Sequence, residues 1–204
     1  GRIASDRSPS AQWRDRDRKA MEAPRGGYCG VISYDIGQSG QLLTFSDSVL
    51  NHFSRHRQTR FWQSEAGGLL FARFELPVIN TNIATGPRRD DRRSRYSYRP
   101  DERAEQREID DMFARGQHFV GCWHTHPEDV ASPSHIDSRN ISDCVRRSHH
   151  ALNGFIMVIV GRASLPGSLF VSACDQSSVH QLSIRTNRLE SPLPQITNDT
   201  ECVP

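Results

Sequence analysis

Two histidines two positions apart, followed by a proline, constrain the fold of this chain more than any other feature of its sequence. The segment His124-Thr125-His126-Pro127 follows residues 118–123, whose apolar pattern predicts a β-strand. Side chains alternate between the two faces of a strand, so both imidazoles point to the same face and can reach one metal ion. Pro127 then ends the strand. The sequence therefore predicts a candidate metal site at a strand end.

Ser134 and Asp137 follow this strand and have two interpretations. As Ser-x-x-Asp ahead of a helix, they resemble a capping box, which satisfies the first free backbone groups of the helix. Because the intervening loop turns the chain back toward the histidines, Asp137 can also supply a carboxylate oxygen. Two histidines and one carboxylate, with water in the fourth position, are typical of an open catalytic zinc site.

A hydrolytic metal site also needs a base for the proton of the attacking water and a donor for the oxyanion that forms. Glu65 is the candidate base, since it precedes a predicted strand in which Gly67 and Gly68 permit close approach of another backbone. Ser134 is the candidate hydroxyl donor. We also expect the strand that begins with these glycines to pair with an extended substrate tail.

The remaining segments alternate between strand and helix patterns. Turn residues 37–40 predict a hairpin, and Ser46 or Asp47 is expected to cap the helix that follows it. Asp101 caps a second, amphipathic helix that ends at Gly116. The predicted strands are 29–34, 42–45, 67–74, 76–84, 118–123, 155–160, 169–174 and 179–184, and the third helix is 134–150.

Length and composition favour one domain with polar ends. The chain has 204 residues, of which 35% are hydrophobic and 25% charged. Residues 1–27 are rich in arginine and lack apolar periodicity, so we expect either a flexible arm or a segment of an upstream fusion there. Residues 28–188 form the expected domain, and residues 189–204, rich in proline, serine and threonine, the expected tail.

Several features exclude broad classes of protein. The longest apolar run, 155–160, is far shorter than the about 20 residues of a membrane span, and the N-terminus does not resemble a signal peptide. Five scattered cysteines without a Cys-x-x-Cys pair favour a reducing compartment. We therefore predict a soluble, cytoplasmic protein. The net charge of +2 does not by itself indicate nucleic acid binding.

An arginine-rich segment lies between the candidate base and the histidines. From Arg88 to Arg99 the sequence holds six arginines, two aspartates and two tyrosines. One interpretation is a solvated loop. The other is a docking surface for an acidic partner or a phosphate group.

Together these residues resemble the signature of the JAMM (MPN-plus, JAB) metallopeptidases, E…H-[ST]-H-P-x(6)-S-x-x-D, at every position. The resemblance covers about residues 28–185 and implies an α/β (α+β) fold, a single JAB/MPN domain with a curved mixed β-sheet flanked by helices. It implies His124, His126 and Asp137 as Zn2+ ligands at the strand end. It further implies Glu65 as the general base and Ser134 as the donor that stabilises the tetrahedral intermediate.

Members of this family cleave isopeptide or peptide bonds, commonly after the diglycine end of ubiquitin or a ubiquitin-like protein. The compact size and the arginine-rich segment resemble bacterial members encoded beside E1- and E2-like proteins in antiphage operons such as type II CBASS. There the enzyme removes a conjugated cGAS-like nucleotidyltransferase from its target. The resemblance thus implies a zinc-dependent isopeptidase of the bacterial cytoplasm, acting on a conjugated protein with an extended C-terminal tail.

Two other functions stay open. The same site can process the precursor of a ubiquitin-like protein or a sulfur carrier. A RadC-like, nucleic-acid-associated module is the alternative from another class, but the chain lacks a helix-hairpin-helix-like partner domain, so nucleic acid is not favoured. Because the motif is complete without Cys122, we expect that thiol to pack near the metal rather than to bind it.

Overall fold

The computed structural model describes residues 31–185, so the predicted arm (1–27) and tail (189–204) lie outside the described residues. The helices are α1 (Asp47–His56), α2 (Glu102–Ala114) and α3 (His135–Arg147). The strands are β1 (Ile32–Ile36), β2 (Gln41–Phe45), β3 (Gly67–Glu75), β4 (Val78–Ala84), β5 (Arg92–Ser94), β6 (Ser97–Arg99), β7 (His118–Thr125), β8 (Phe155–Val160), β9 (Leu169–Cys174), β10 (Val179–Gln181) and β11 (Ser183–Ile184).

Nine strands form one mixed sheet in the order β10-β9-β8-β7-β3-β4-β2-β1-β11. The β7–β8 and β2–β4 pairs are parallel and the other pairs antiparallel. Strand β3 shifts register near Phe71 against both of its neighbours. Such bulges bend a strand and increase its twist, so the sheet curves at its centre. The α/β (α+β) fold with a curved mixed sheet and flanking helices is confirmed.

The hydrophobic core has two layers because the central strands are covered on both faces. Along β8, Ile156, Val158 and Val160 join the cluster that contains α1, whereas Phe155, Met157 and Ile159 join the cluster that contains α3. This alternation is the period of two expected for a strand. A strand buried on both faces has a continuous apolar sequence, which explains the apolar run 155–160.

The arginine-rich segment is not a simple loop. It contains the two-stranded β5–β6 hairpin, in which Arg93 lies opposite Tyr98. The Tyr98 hydroxyl donates to Asp91, whose carboxylate also accepts the backbone N–H groups of Arg88 and Asp101. These polar contacts within residues 88–101 leave no apolar alternation in the sequence, which is why sequence patterns did not predict the hairpin.

Smaller differences occur at the ends of elements. Helix α3 ends at Arg147, before the predicted residue 150, and the predicted strand 179–184 is divided at Leu182, whose N–H donates to Val171 O at 2.8 Å. Ser46 occupies the cap position of α1, but its hydroxyl pairs with Ser48 rather than with a helix N–H. Between residues 31 and 185, no helix has the length and hydropathy needed to cross a membrane.

Candidate metal centre

The two histidines lie at the end of β7, held between strands on both sides. Thr125 N–H donates to Ala66 O at 2.8 Å, and His126 N–H donates to Val160 O at 3.0 Å. The backbone therefore stays extended through His126, although β7 itself ends at Thr125. Because the chain is extended, the imidazoles of His124 and His126 share a face, with their Nε2 atoms 3.1 Å apart.

Asp137 projects toward these imidazoles from the first turn of α3. The Ser134 hydroxyl accepts the N–H of Asp137 at 3.2 Å, and the Asp137 Oδ2 accepts the N–H of Ser134 at 2.7 Å, so the capping box is complete. The same carboxylate lies 3.3 Å from His124 Nε2 through Oδ1 and 3.4 Å from His126 Nε2 through Oδ2. The two interpretations of Ser134 and Asp137 are thus compatible.

The spacing of these atoms fits a divalent metal ion. Two ligand atoms bound at about 2.0–2.1 Å to one tetrahedral ion lie about 3.3–3.4 Å apart. The separations among His124, His126 and Asp137 are 3.1, 3.3 and 3.4 Å. Among the described residues this is the one group of three or more histidine, cysteine or acidic side chains whose ligand atoms converge in this way. Two nitrogen donors and one carboxylate leave a fourth position open, as in catalytic zinc sites.

The electrostatics of the cluster favour an ionised carboxylate. Burial opposes the charge on Asp137, but hydrogen bonds from His124, His126 and Ser134 outweigh it and hold the pKa of this carboxyl well below its usual range. Burial likewise opposes protonation of His126, but the hydrogen bond to Asp137 and the negative charge of that carboxylate prevail and raise the pKa of His126. The cluster therefore attracts a cation.

Glu65 lies on the segment that leads into β3, next to the histidine strand. It is 6% exposed, and burial raises the pKa of its carboxyl to about 7, partly offset by the nearby His126. Its backbone is fixed, because Glu65 N–H donates to Ser94 O at 2.7 Å and the Arg93 guanidinium donates to Glu65 O at 3.4 Å. A carboxyl whose pKa lies near neutrality can both accept and release a proton.

Gln58 was not singled out from the sequence, yet it links the parts of the site. It is fully buried, and its Nε2 donates to Gln63 O at 3.1 Å and to Arg95 O at 3.0 Å. Its Oε1 accepts the hydroxyl of Thr125 at 3.1 Å, and that hydroxyl in turn accepts the N–H of Ala66. Within the polar run HRQTR, a glutamine has the pattern of a solvated residue, so no sequence signal pointed to it.

The expectation that β3 offers a free edge to a substrate tail is wrong. Strand β3 lies between β7 and β4, and its first residues are covered on the side of β4 by Thr85 and Gly86. A Cβ at Gly67 would lie 2.5 Å from the Tyr98 ring, and one at Gly68 would lie 1.9 Å from Thr85 O. These glycines therefore permit close internal packing rather than access for a substrate.

Cys122 and Arg88 both face inward. Cys122 packs against the core cluster beneath α3, where burial raises the pKa of its thiol well above the usual value, and it is not part of the metal-binding group. Arg88 pairs with Glu105 at 3.2 Å and with Glu108, and so fixes the start of the arginine-rich segment to α2. Arg92, Arg93, Arg95 and Arg99 lie on the hairpin, and Arg89 lies in the turn before it.

Comparisons with known proteins agree with this geometry. A family model described as prokaryotic homologs of the JAB domain matches residues 46–172. An Escherichia coli protein named CD-NTase/cGAS isopeptidase is 33% identical over 128 residues, which are 60% of this chain and 78% of that protein. A Pseudomonas aeruginosa protein of the same name is 34% identical over 148 residues, 68% of this chain and 92% of that protein. A solution structure of a protein from Desulfitobacterium hafniense has a similar fold, with a TM-score of 0.51 and 21% identity, covering 68% of this chain and 88% of that chain.

Proposed function

The chain belongs to the prokaryotic JAB family, and from this premise we propose that it is a zinc-dependent isopeptidase that removes a conjugated protein from its target. The observation that carries the proposal is the convergence of two imidazole nitrogens and one carboxylate at separations of 3.1–3.4 Å. This donor set fits zinc. The buried carboxyl of Glu65, whose pKa is raised to about 7, lies on the segment that leads into β3, next to the histidine strand. Metal-assisted hydrolysis of an amide bond uses a metal site and a proton acceptor together.

In this proposal His124, His126 and Asp137 hold the metal, which when bound supplies Lewis acidity to a water molecule and to the scissile carbonyl. The Glu65 carboxylate accepts one proton from the attacking water as its oxygen bonds to the carbonyl carbon. When the C–N bond breaks, Glu65 gives this proton to the leaving amine, so that acid and amine are formed and Glu65 is regenerated.

Ser134 is suited to stabilise the oxyanion of the tetrahedral intermediate. Its hydroxyl oxygen already accepts the N–H of Asp137, which fixes the position of the oxygen. The hydroxyl hydrogen is then left to donate to a substrate oxygen, and the side chain is exposed. A donor that is positioned before the reaction lowers the energy of the developing charge.

The names of the two curated relatives suggest the substrate. We propose that the conjugate is a cGAS-like nucleotidyltransferase attached by E1- and E2-like partners in a CBASS-type antiphage system, and that its removal takes place in the bacterial cytoplasm where the conjugate is made. Processing of a ubiquitin-like or sulfur-carrier precursor and a RadC-like role with nucleic acid are then the competing outcomes of the test.

The test compares protein conjugates by mass spectrometry in cells that express this protein with its genomic neighbours. Glu65→Ala should lead to a ligase-dependent adduct on lysine, because the variant cannot take the proton from water. Glu75→Ala is the matched control, since Glu75 is an exposed glutamate at the far end of β3 and should leave conjugate levels unchanged. If no adduct accumulates with Glu65→Ala, deconjugation is wrong, and a precursor cleaved by the unmodified protein would instead identify a processing peptidase.

A further inference from the structure

The loop after α1 and the β5–β6 hairpin form an exposed surface of aromatic rings and guanidinium groups. We propose that this hairpin surface binds an acidic segment of the conjugated protein, with an apolar side chain among the acids, close to the bond that is cleaved. The inference rests on the proposed function, because it names the part of the substrate that reaches the metal centre. The hairpin surface consists of Arg60, Phe61, Trp62, Arg92, Tyr96 and Arg99.

The aromatic part of the hairpin surface is unusually exposed for its size. Phe61, Tyr96 and Trp62 are 75%, 74% and 62% exposed. The rings are ordered by their neighbours, because the Arg60 guanidinium lies 5.3 Å from the Trp62 ring centre and that of Arg95 lies 5.5 Å from the Tyr96 ring centre. Exposed aromatic and arginine side chains that are already positioned are typical of the energetic centre of a protein interface.

The loop and the hairpin are joined into one surface. The Arg95 guanidinium donates to Arg60 O at 3.3 Å and also to Phe61 O. Gln58 donates to Arg95 O from below. The rings of the loop therefore keep a fixed position relative to Tyr96, which reduces the entropy lost when a partner binds.

The positive charge of the hairpin surface favours an acidic partner. Arg92 on β5 lies directly opposite Arg99 on β6. Like charges at opposite positions of a strand pair destabilise it unless an anion lies between them. Within residues 31–185 no ion pair joins Arg60, Arg92 or Arg99 to a carboxylate, whereas Arg88 is paired with two glutamates of α2. Arg60, Arg92 and Arg99 therefore keep a positive charge that no carboxylate of the described residues pairs with.

The hairpin surface adjoins the segment that carries the candidate base Glu65. Ser94, at the end of β5, accepts the N–H of the candidate base Glu65 at 2.7 Å. Trp62 precedes Glu65 by three residues, so their Cα atoms are at most about 11 Å apart. A substrate segment a few residues long can therefore extend from the scissile bond to the hairpin surface.

A peptide suits the hairpin surface better than a nucleic acid does. Single-stranded nucleic acids bind aromatic surfaces by stacking bases on open ring faces. Here one face of Trp62 is covered by Arg60, one face of Tyr96 by Arg95, and Phe61 stands edge-on to Trp62 at 87°. The guanidinium groups keep donors for carboxylates, and the ring edges accept an aliphatic side chain.

The test measures peptide binding without turnover, by fluorescence anisotropy on the full chain. The probe is a fluorescein-labelled peptide of repeated Asp-Glu-Leu, and its amide counterpart, repeated Asn-Gln-Leu, is the control. Arg92→Glu should weaken binding about tenfold or more, because it replaces a partner of the acids by a repelling charge. Arg73→Glu carries the same change of charge at an exposed site on β3 and should alter binding by less than about twofold.

Arg92→Glu also distinguishes docking from a structural role. It places a glutamate opposite Arg99, which is a favourable strand pair, so the melting temperature should stay unchanged or rise while binding falls. Trp62→Ala should weaken binding of the acidic peptide severalfold through the lost apolar contact. Equal binding by Arg92→Glu and the unmodified protein would overturn the inference.

Other occupants give different results. Binding of oligothymidylate but not of the acidic peptide would overturn the inference in favour of nucleic acid. A dimer by light scattering that Arg92→Glu converts to a monomer would overturn it in favour of a second copy of this chain. If the peptide does not bind while the conjugate accumulates with Glu65→Ala, the docking inference fails and the proposed function stands.

Discussion

Replacing Gln58 by leucine should both destabilise the protein and impair the candidate site. The change keeps a side chain of similar size but removes two donated hydrogen bonds, of 3.1 and 3.0 Å, and one accepted bond of 3.1 Å. A buried polar group that loses its partner costs about 1–3 kcal/mol. The Thr125 hydroxyl is fully buried, so its lost hydrogen bond should account for most of the cost. The carbonyls of Gln63 and Arg95 lie on half-buried segments, where water can replace the lost donor. We expect a total loss of about 3 kcal/mol.

The free energy of unfolding from urea titration measures this loss. Gln106→Leu is the matched control, because Gln106 lies on the exposed face of α2 and its side chain donates to Asp110 one turn away, so it should cost less than about 0.5 kcal/mol. Gln58→Leu should also lower kcat more than it raises KM, since it loosens the segment that carries Glu65 and the strand between the two histidines. Equal costs for the two leucine variants would refute the role assigned to Gln58.

Three further predictions concern Asp137, Ser134 and His52. Asp137→Asn should retain less than about a tenth of the zinc bound by the unmodified protein, measured by mass spectrometry after dialysis, because a neutral amide is a much weaker ligand; equal zinc content would contradict the ligand assignment. Ser134→Ala should cost about 1 kcal/mol of stability and Ser134→Gly only a few tenths, because glycine is tolerated at the cap, whereas both should lose turnover if the hydroxyl stabilises the oxyanion. Burial lowers the pKa of His52 to about 4, and the positive charge of His56 adds to this effect. Below pH 6.5 the unfolded chain therefore binds more protons at this histidine than the folded protein does. The free energy of unfolding should therefore be unaffected by His52 above pH 6.5 and fall by up to about 3 kcal/mol as the pH drops to 4. His52→Leu should reduce this fall, measured by urea titration across the same pH range.

The parts of the fold that the sequence predicted are those whose signals are local. Alternation of side chains brought His124 and His126 to one face, and the apolar run of β8 indicated a strand buried on both faces. The Asp101 cap of α2 also formed as expected, with its side chain accepting two backbone N–H groups. Each of these features depends on residues that are close together in the sequence, so the sequence alone is enough to predict it.

The parts that were not predicted depend on contacts between distant segments. The β5–β6 hairpin is held by Glu65, by the packing of Tyr98 on Gly67 and by Gln58, none of which leaves a pattern in residues 88–99 themselves. Helix α2 is amphipathic by sequence, yet Phe113 is 67% exposed, with its ring against His118. Local periodicity indicates that a face is apolar but not whether the fold covers it.

The capping box of α3 explains how a helix signal and a metal-ligand signal can be one feature. The Ser134 N–H holds Oδ2 of Asp137 at 2.7 Å, which fixes the carboxylate in the orientation that faces both imidazoles. A ligand whose rotamer is already fixed loses little entropy when it binds an ion, so the cap contributes to metal affinity as well as to helix stability. Ser-x-x-Asp taken alone indicates the start of a helix. Only its approach to the His-x-His strand, which the fold provides, makes it a candidate metal ligand.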